Sequence, residues 1–364
     1  MTLLEVKDLA VSFPTADGVV KAVRGVSFSV DAGRTLGIVG ESGSGKTVLT
    51  QTLLGLTPGG DISGQAIFDG ADLLTMTEDQ MRNIRGAQIA VIFQDPLTSL
   101  HPLYKVGWQI EEMIRAHDRK VSRKQATERA IDLLNKVGIP QASQRVNDYP
   151  HQFSGGMRQR AMIAMALSLS PKLIIADEPT TALDATVQAQ ILDLLLRLQH
   201  EFDTALIMIT HDLGVVADIA DEVMVMYAGR AAEKAGKHDI FYEPHHPYTK
   251  GLLESIPNSS AATERLKPIS GQPPSLIRLP SGCAFHPRCT YVMDRCLDEE
   301  PQLVAVGSAG AHRSACFLPV SAIGLGGDTE ELRKKAVSEE RHAAAAEVAE
   351  KIAAAPESEG SVIG

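Results

Sequence analysis

Short, unbroken apolar runs recur along the chain between Leu3 and about Tyr227: TLGIVG, QIAVIF, KLIIAD, ALIMIT and EVMVMY. Runs this brief, rich in branched residues and without polar alternation, predict strands of a sheet buried on both faces. Between them lie longer stretches such as KTVLTQTLLGL and VQAQILDLLLRLQ. Their apolar residues return every three or four positions, the spacing of helices laid on a sheet. The alternation predicts an α/β fold.

From Asp95 to about Gln152 the strand pattern stops and helical periodicity takes over, as in RKQATERAIDLLNKVGI. A helical subdomain inserted over about residues 95–160 is expected. After Gly229 the Pro-rich segments YEPHHPYTK and GQPPSLIRLP predict an extension dominated by loops, over residues 256–320. The remainder, 321–364, is Ala- and charge-rich, which predicts a solvated helix fading into disorder, and no function attaches to it.

Composition narrows the classes. With 364 residues and 44% hydrophobic content, the chain can fill one large core and a smaller second unit. A formal charge of −10 argues against a broad basic footprint for nucleic acid. The N-terminus MTLLEVKDLA lacks a secretory pattern, so a cytosolic location is expected. No stretch reaches the roughly 18 consecutive apolar residues of a spanning helix. Any membrane role then requires a partner.

The first chemical motif is GESGSGKT, Gly40 to Thr47, set between the strand TLGIV and a helical run. Glycines Gly40, Gly43 and Gly45, with Ser44, let successive N–H groups and a helix N-terminus face phosphate oxygens. Lys46 adds a point charge and Thr47 a hydroxyl for Mg²⁺. In KLIIADEP, Asp177 ends a strand where it could hold the Mg²⁺ shell, and Glu178 follows where it could polarise a water. A glycine-rich turn or an acidic strand end alone would be unremarkable; together they predict a phosphate-loop NTPase. In FSGGMRQR, Ser154 sits at an N-cap position ahead of a helical run, and Gly155 and Gly156 expose the backbone to form a second anion site.

Phosphate loop, FQDP with Gln94, FSGGMRQR, ADEP, TALD and ITHD, in that order, resemble the nucleotide-binding domain of an ABC ATPase. The likeness covers about Leu3 to Gly251 and assigns residues 1–255 to that domain, an ABC-type P-loop fold. In that family two domains face head to tail, so the resemblance implies that Ser154, Gly155 and Gly156 serve a partner's ATP. It implies that Gln94 reaches Mg²⁺ and the attacking water, that His211 contacts the γ-phosphate, and that Asp184 lies at the dimer seam. Phe13 is the candidate for stacking on adenine. The signature departs from the commonest form at Phe153 and Met157, while its small residues are intact.

The stretches VIFQDPLTSLHPLY, HHPYTKGLLESIP and LPSGCAFHPRC resemble the D-type ATPases of dipeptide and oligopeptide importers, through about Leu318. That resemblance implies ATP hydrolysis at the cytoplasmic face of the cell membrane and import of peptides. Its implied partners are two permease subunits docked on the helical insert, a second ATPase, a paralogue in preference to a second copy of this chain, and an extracytoplasmic binding protein acting indirectly. Nickel or a glutathione-like peptide is a neighbouring cargo. A soluble ABC ATPase acting on DNA or ribosomes is the alternative from another class; one phosphate loop and a short insert argue against it.

All four cysteines, Cys283, Cys289, Cys296 and Cys316, fall in the extension with spacing C-x5-C-x6-C-x19-C. A reducing compartment disfavours disulfides. The gaps are wider than the usual zinc knuckle, yet zinc, an iron–sulfur cluster and free thiols all remain open on residue type. The peptide-importer resemblance implies a [4Fe–4S] cluster, with Zn²⁺ as the alternative. His286 and His312 are candidate substitute ligands or ordinary loop histidines.

Overall fold

A computed structural model describes residues 1–181, 183–256, 269–307 and 310–319. The expectation for 321–364 lies outside them. Among the described residues, twelve strands run in chain order: β1 (Thr2–Thr15), β2 (Gly18–Asp31), β3 (Thr35–Val39), β4 (Asp61–Phe68), β5 (Ala71–Asp72), β6 (Ile89–Ile92), β7 (Leu173–Asp177), β8 (Ala205–Thr210), β9 (Glu222–Tyr227), β10 (Arg230–Gly236), β11 (Val304–Ala305) and β12 (Arg313–Ser314).

The apolar runs become the middle of a sheet ordered β11-β12-β10-β9-β3-β8-β7-β6. From β9 through β6 the neighbours are parallel, and β3 and β8 are buried at every position. Helices Lys46–Leu53, Ala185–Phe202 and Leu213–Ile219 flank it. Such a sheet gathers the carboxyl ends of its strands along one rim, the usual position for ligand chemistry in open α/β folds.

A second sheet, β2-β1-β4-β5, is antiparallel. It is a departure from the all-buried pattern expected of the sequence. β1 and β2 are 14 residues each, and the inward-facing Leu4, Val6, Leu9, Val11, Val26, Phe28 and Val30 pack against the helix Lys46–Leu53 and the main sheet. Their other face is partly exposed, so they alternate rather than run apolar.

Residues 96–166 form helices, including Val106–His117, Arg123–Lys136 and Gly155–Ala166, around a core of Ile110, Ile114, Ala130, Leu134 and Ile163. The capping box at Ser122 and Gln125 starts the second of these. The extension does not stand apart. Its strands β11 and β12 lengthen the main sheet through β10, and Phe285, Ile269 and Leu276 join Tyr248 and Phe241 in a third apolar cluster. Arg24 and Arg230 both pair with Glu300 at 2.6 Å, bracing the same junction.

Candidate active site

β3 ends at Val39, and residues 40–45 turn into the helix Lys46–Leu53. Gly43 and Gly45 have φ of 79° and 98°, backbone that side chains resist. A Cβ at Gly45 would also strike the Ala22 carbonyl oxygen. The loop is therefore tight against β2, and the helix that follows starts without a side-chain cap. Its first N–H groups are available to an anion. The buried Lys46 ammonium donates to the carbonyls of Gly40 (2.6 Å) and Glu41 (2.9 Å). Burial lowers its pKa, while Glu178, Asp177 and Glu41 oppose the shift.

At the end of β7, Thr47 Oγ1 donates to Asp177 Oδ1 at 3.4 Å. Burial raises the Asp177 carboxyl above its ordinary value, against the Thr47 hydrogen bond. A hydroxyl and a half-buried carboxylate side by side fit a hard divalent cation such as Mg²⁺, whose charge would restore the ionised form.

Glu178 follows at φ 46°, an uncommon conformation for a residue with a side chain. Its amide donates to the Ile209 carbonyl at 2.9 Å, which holds the turn against β8. The carboxylate gathers three groups at Oε2: Thr181 Oγ1 at 2.9 Å, Gln94 Nε2 at 3.3 Å and His211 Nδ1 at 3.4 Å. The Gln94 side chain comes from just beyond β6 and His211 from just beyond β8. Three adjacent parallel strands thus deliver the glutamine, the glutamate and the histidine to one point.

These side chains, with Lys46 and Thr47, line the polar end of a cleft of about 1020 Å³. Phe13, Val20 and Ala22 line the same cleft. Ser154, Gly155 and Gly156 do not line this cleft. Ser154 instead accepts from Met157 N–H at 3.3 Å and caps Gly155–Ala166. Asp184 accepts from Val187 N–H at 3.0 Å and caps Ala185–Phe202. The two helix starts are neighbours, since a Cβ on Gly156 would come within 3.0 Å of Val187 Cγ1.

Sequence reasoning missed several participants. Thr181 steadies Glu178, and its signal was its place three residues on in the same turn. Glu41 lies within the phosphate loop, and its backbone N–H donates to Tyr248 Oη at 2.9 Å. Its carboxylate takes both arms of the Arg288 guanidinium, at 2.6 and 2.9 Å. No local pattern marks Arg288, which precedes Cys289 in the extension.

The cysteines share one neighbourhood. Cys283 N–H donates to the Cys296 carbonyl at 2.9 Å, Tyr291 N–H to Cys289 Sγ at 3.4 Å and Leu318 N–H to Cys316 Sγ at 3.5 Å. Burial pushes the Cys316 thiol up to about 11, with Cys289, Cys283 and Cys296 adding to the shift. Among the described residues, no three His, Cys, Asp or Glu side chains are grouped to hold a metal ion. His312 is otherwise engaged, 2.6 Å from buried Glu233, and His286 Nδ1 lies 2.9 Å from the Cys283 carbonyl oxygen.

The family model for ABC transporters matches residues 23–181, and that for the oligopeptide/dipeptide transporter C-terminal region matches 232–296. The oligopeptide transport ATP-binding protein OppD of Bacillus subtilis is 54% identical over 87% of this chain and 89% of its own. The dipeptide transport ATP-binding protein DppD of Escherichia coli is 48% identical over 89% and 99%. Among solved structures, the dimeric ATP-binding cassette MJ0796 bound to ADP and Pi superposes with a TM-score of 0.58 at 25% identity, covering 64% of this chain and 98% of its own. The cassette cbiO1 of Clostridium perfringens gives 0.56 at 28% identity, covering 66% and 90%. With the phosphate loop, the carboxylate pair and the cysteine-bearing extension in one chain, the protein belongs to the family of oligopeptide and dipeptide ABC transporter ATP-binding proteins.

Proposed function

We propose that this chain hydrolyses ATP to drive import of dipeptides or oligopeptides through separate permease subunits. The observation that carries the reading is the convergence of Gln94, Glu178 and His211 beside Lys46 and Thr47 in one cleft. The phosphate loop and Lys46 bind the phosphates. Thr47 and Asp177 would hold Mg²⁺, which neutralises charge on the terminal phosphate. Glu178 accepts a hydrogen bond from the attacking water, while Gln94 and His211 orient that water and the γ-phosphate.

Ser154, Gly155 and Gly156 lie outside the cleft of their own chain, so they suit the nucleotide of a second ATPase, a paralogue, facing this one. Permeases are assigned to the helical subdomain, where Leu103 is 77% exposed and Tyr104 stacks on exposed Trp108 at 4.3 Å. No described helix is long and apolar enough to cross a membrane, so these partners would hold the chain at the cytoplasmic membrane face. An extracytoplasmic binding protein would deliver peptide to the permeases without touching this subunit.

The cysteine set is proposed to hold a [4Fe–4S] cluster. Four thiols in one neighbourhood, two of them receiving backbone N–H groups, supply its usual ligand chemistry. A pull-down from membranes tests the transport reading: two polytopic membrane proteins and a second ATPase should co-purify, whereas ribosomes or DNA in their place would overturn it.

A further inference from the structure

The nucleotide cleft is not walled by the ATPase core alone. Ile269, Pro273 and Leu276, from the start of the described extension, line it together with Phe13 and Val20. Polar groups of the phosphate loop and the strand ends line the rest of the cleft. A nucleotide whose phosphates meet Lys46 and Thr47 must therefore run its ribose and base toward Phe13 and the extension.

The segment 269–276 is pinned at both ends. At one end Lys21 N–H donates to the Leu276 carbonyl at 3.1 Å, fixing it to β2 between Val20 and Ala22. Ile277 crosses the β1–β2 turn so closely that a Cβ on Gly18 would meet its Cγ2 at 2.9 Å. At the other end Arg288 donates to the carbonyls of Ser270 (3.0 Å) and Ile269 (3.5 Å).

The same guanidinium binds both carboxylate oxygens of Glu41 in the phosphate loop, and also Tyr227 Oη at 3.3 Å. Its side chain is 4% exposed. A two-armed Arg–carboxylate pair fixes orientation as well as distance, which a lysine at the same position cannot do. Glu41 in turn offers its carbonyl to Lys46. One side chain thus ties the segment that walls the base end to the loop that binds the phosphates.

We propose that segment 269–276 is part of the ATP site of its own chain, with Leu276 a specificity-determining contact for the base and ribose and Arg288 the positioning residue that registers this wall against the phosphate loop. The inference rests on the ATP-site reading above.

Calorimetric titration of the full-length chain with MgADP and with magnesium pyrophosphate, neither of which requires hydrolysis, separates base contacts from phosphate contacts. Leu276→Ser is expected to weaken MgADP about tenfold by removing apolar contact, with pyrophosphate affinity unchanged. Arg288→Lys, which keeps the charge and loses the fork, is expected to weaken both ligands several-fold. Unchanged or tighter MgADP binding in Leu276→Ser, or an equal loss for pyrophosphate, overturns the wall. Unchanged binding of both ligands in Arg288→Lys overturns the clamp. Should that variant not fold, Leu276→Ser alone decides, since its half-buried side chain leaves the ion pair intact. Lys46→Ala serves as the reference: if it leaves MgADP binding at the wild-type level, the ATP-site reading itself fails, which is a different result from either loss above.

Discussion

The Gln94 amide nitrogen lies 3.3 Å from Glu178 Oε2, linking the end of β6, where the helical subdomain begins, to the carboxylate at the end of β7. Because Glu178 also meets His211 and Thr181, it stands at the centre of the polar end of the cleft. Glu178→Gln keeps the side-chain size and removes the acceptor that polarises water. ATP binding should persist while turnover falls about 100-fold or more, the usual cost of losing a general base. Phosphate release and nucleotide titration measure the two, and wild-type turnover would remove Glu178 from the chemistry.

Leu103, Tyr104 and Trp108 are exposed on the subdomain joined to Gln94 and are the surface proposed above for permease docking. Leu103→Asp places a charge where the docked state would bury it, which is costly without a partner. Co-purification with permeases should drop sharply, with nucleotide affinity of the free chain unchanged. Equal recovery of permeases from both proteins would move the docking surface elsewhere.

His246 is fully buried, accepts Tyr248 N–H on Nδ1 at 3.0 Å, and is held by burial at a pKa of about 4, despite the opposing charge of Glu233. A folded value below the ordinary histidine value of 6.5 means that protons favour the unfolded chain. Stability from this group is full above pH 6.5 and is lost as pH falls from there toward about 4. His246→Asn retains an acceptor for Tyr248 N–H and cannot titrate. Its melting temperature should fall less than that of the wild type over that interval; parallel declines would assign the acid sensitivity to other groups.

Oxygen-free purification followed by iron, acid-labile sulfide and zinc analysis addresses the cysteines. Near-stoichiometric iron and sulfide are expected in the wild type and should be lost in Cys289→Ser, with the visible absorption of a cluster disappearing alongside. Zinc alone, or no metal, would eliminate the cluster and leave the ATPase assignment standing.

Much of the ATP site was legible because each motif is local: GESGSGKT must turn between β3 and a helix, and ADEP must end a buried strand. The parallel strands were legible for the same reason, as unbroken apolar runs. The β1–β2 hairpin was harder to read because its register shifts between Val6 and Leu9 and again between Val11 and Ser12, which break the alternation that would announce it. Arg288 and Glu41 are 247 residues apart, and their pairing depends on how the extension packs on Tyr227 and Tyr248. No periodicity in either segment carries that information. Ser154 was legible as a helix cap, which satisfies local backbone donors whether or not a second subunit is present; Asp184, expected only at a dimer seam, caps Ala185–Phe202 in the same way.

The central claim is that ATP hydrolysis at Glu178 powers peptide uptake. Reconstitution of this chain with its permeases, the second ATPase and the binding protein in vesicles, with labelled peptide uptake and phosphate release followed together, measures it directly. Uptake should require ATP and should fall with phosphate release to a small fraction of the wild-type rate in Glu178→Gln. Peptide uptake that persists at the wild-type rate in that variant, or ATP hydrolysis by the wild type with no uptake, would contradict the account.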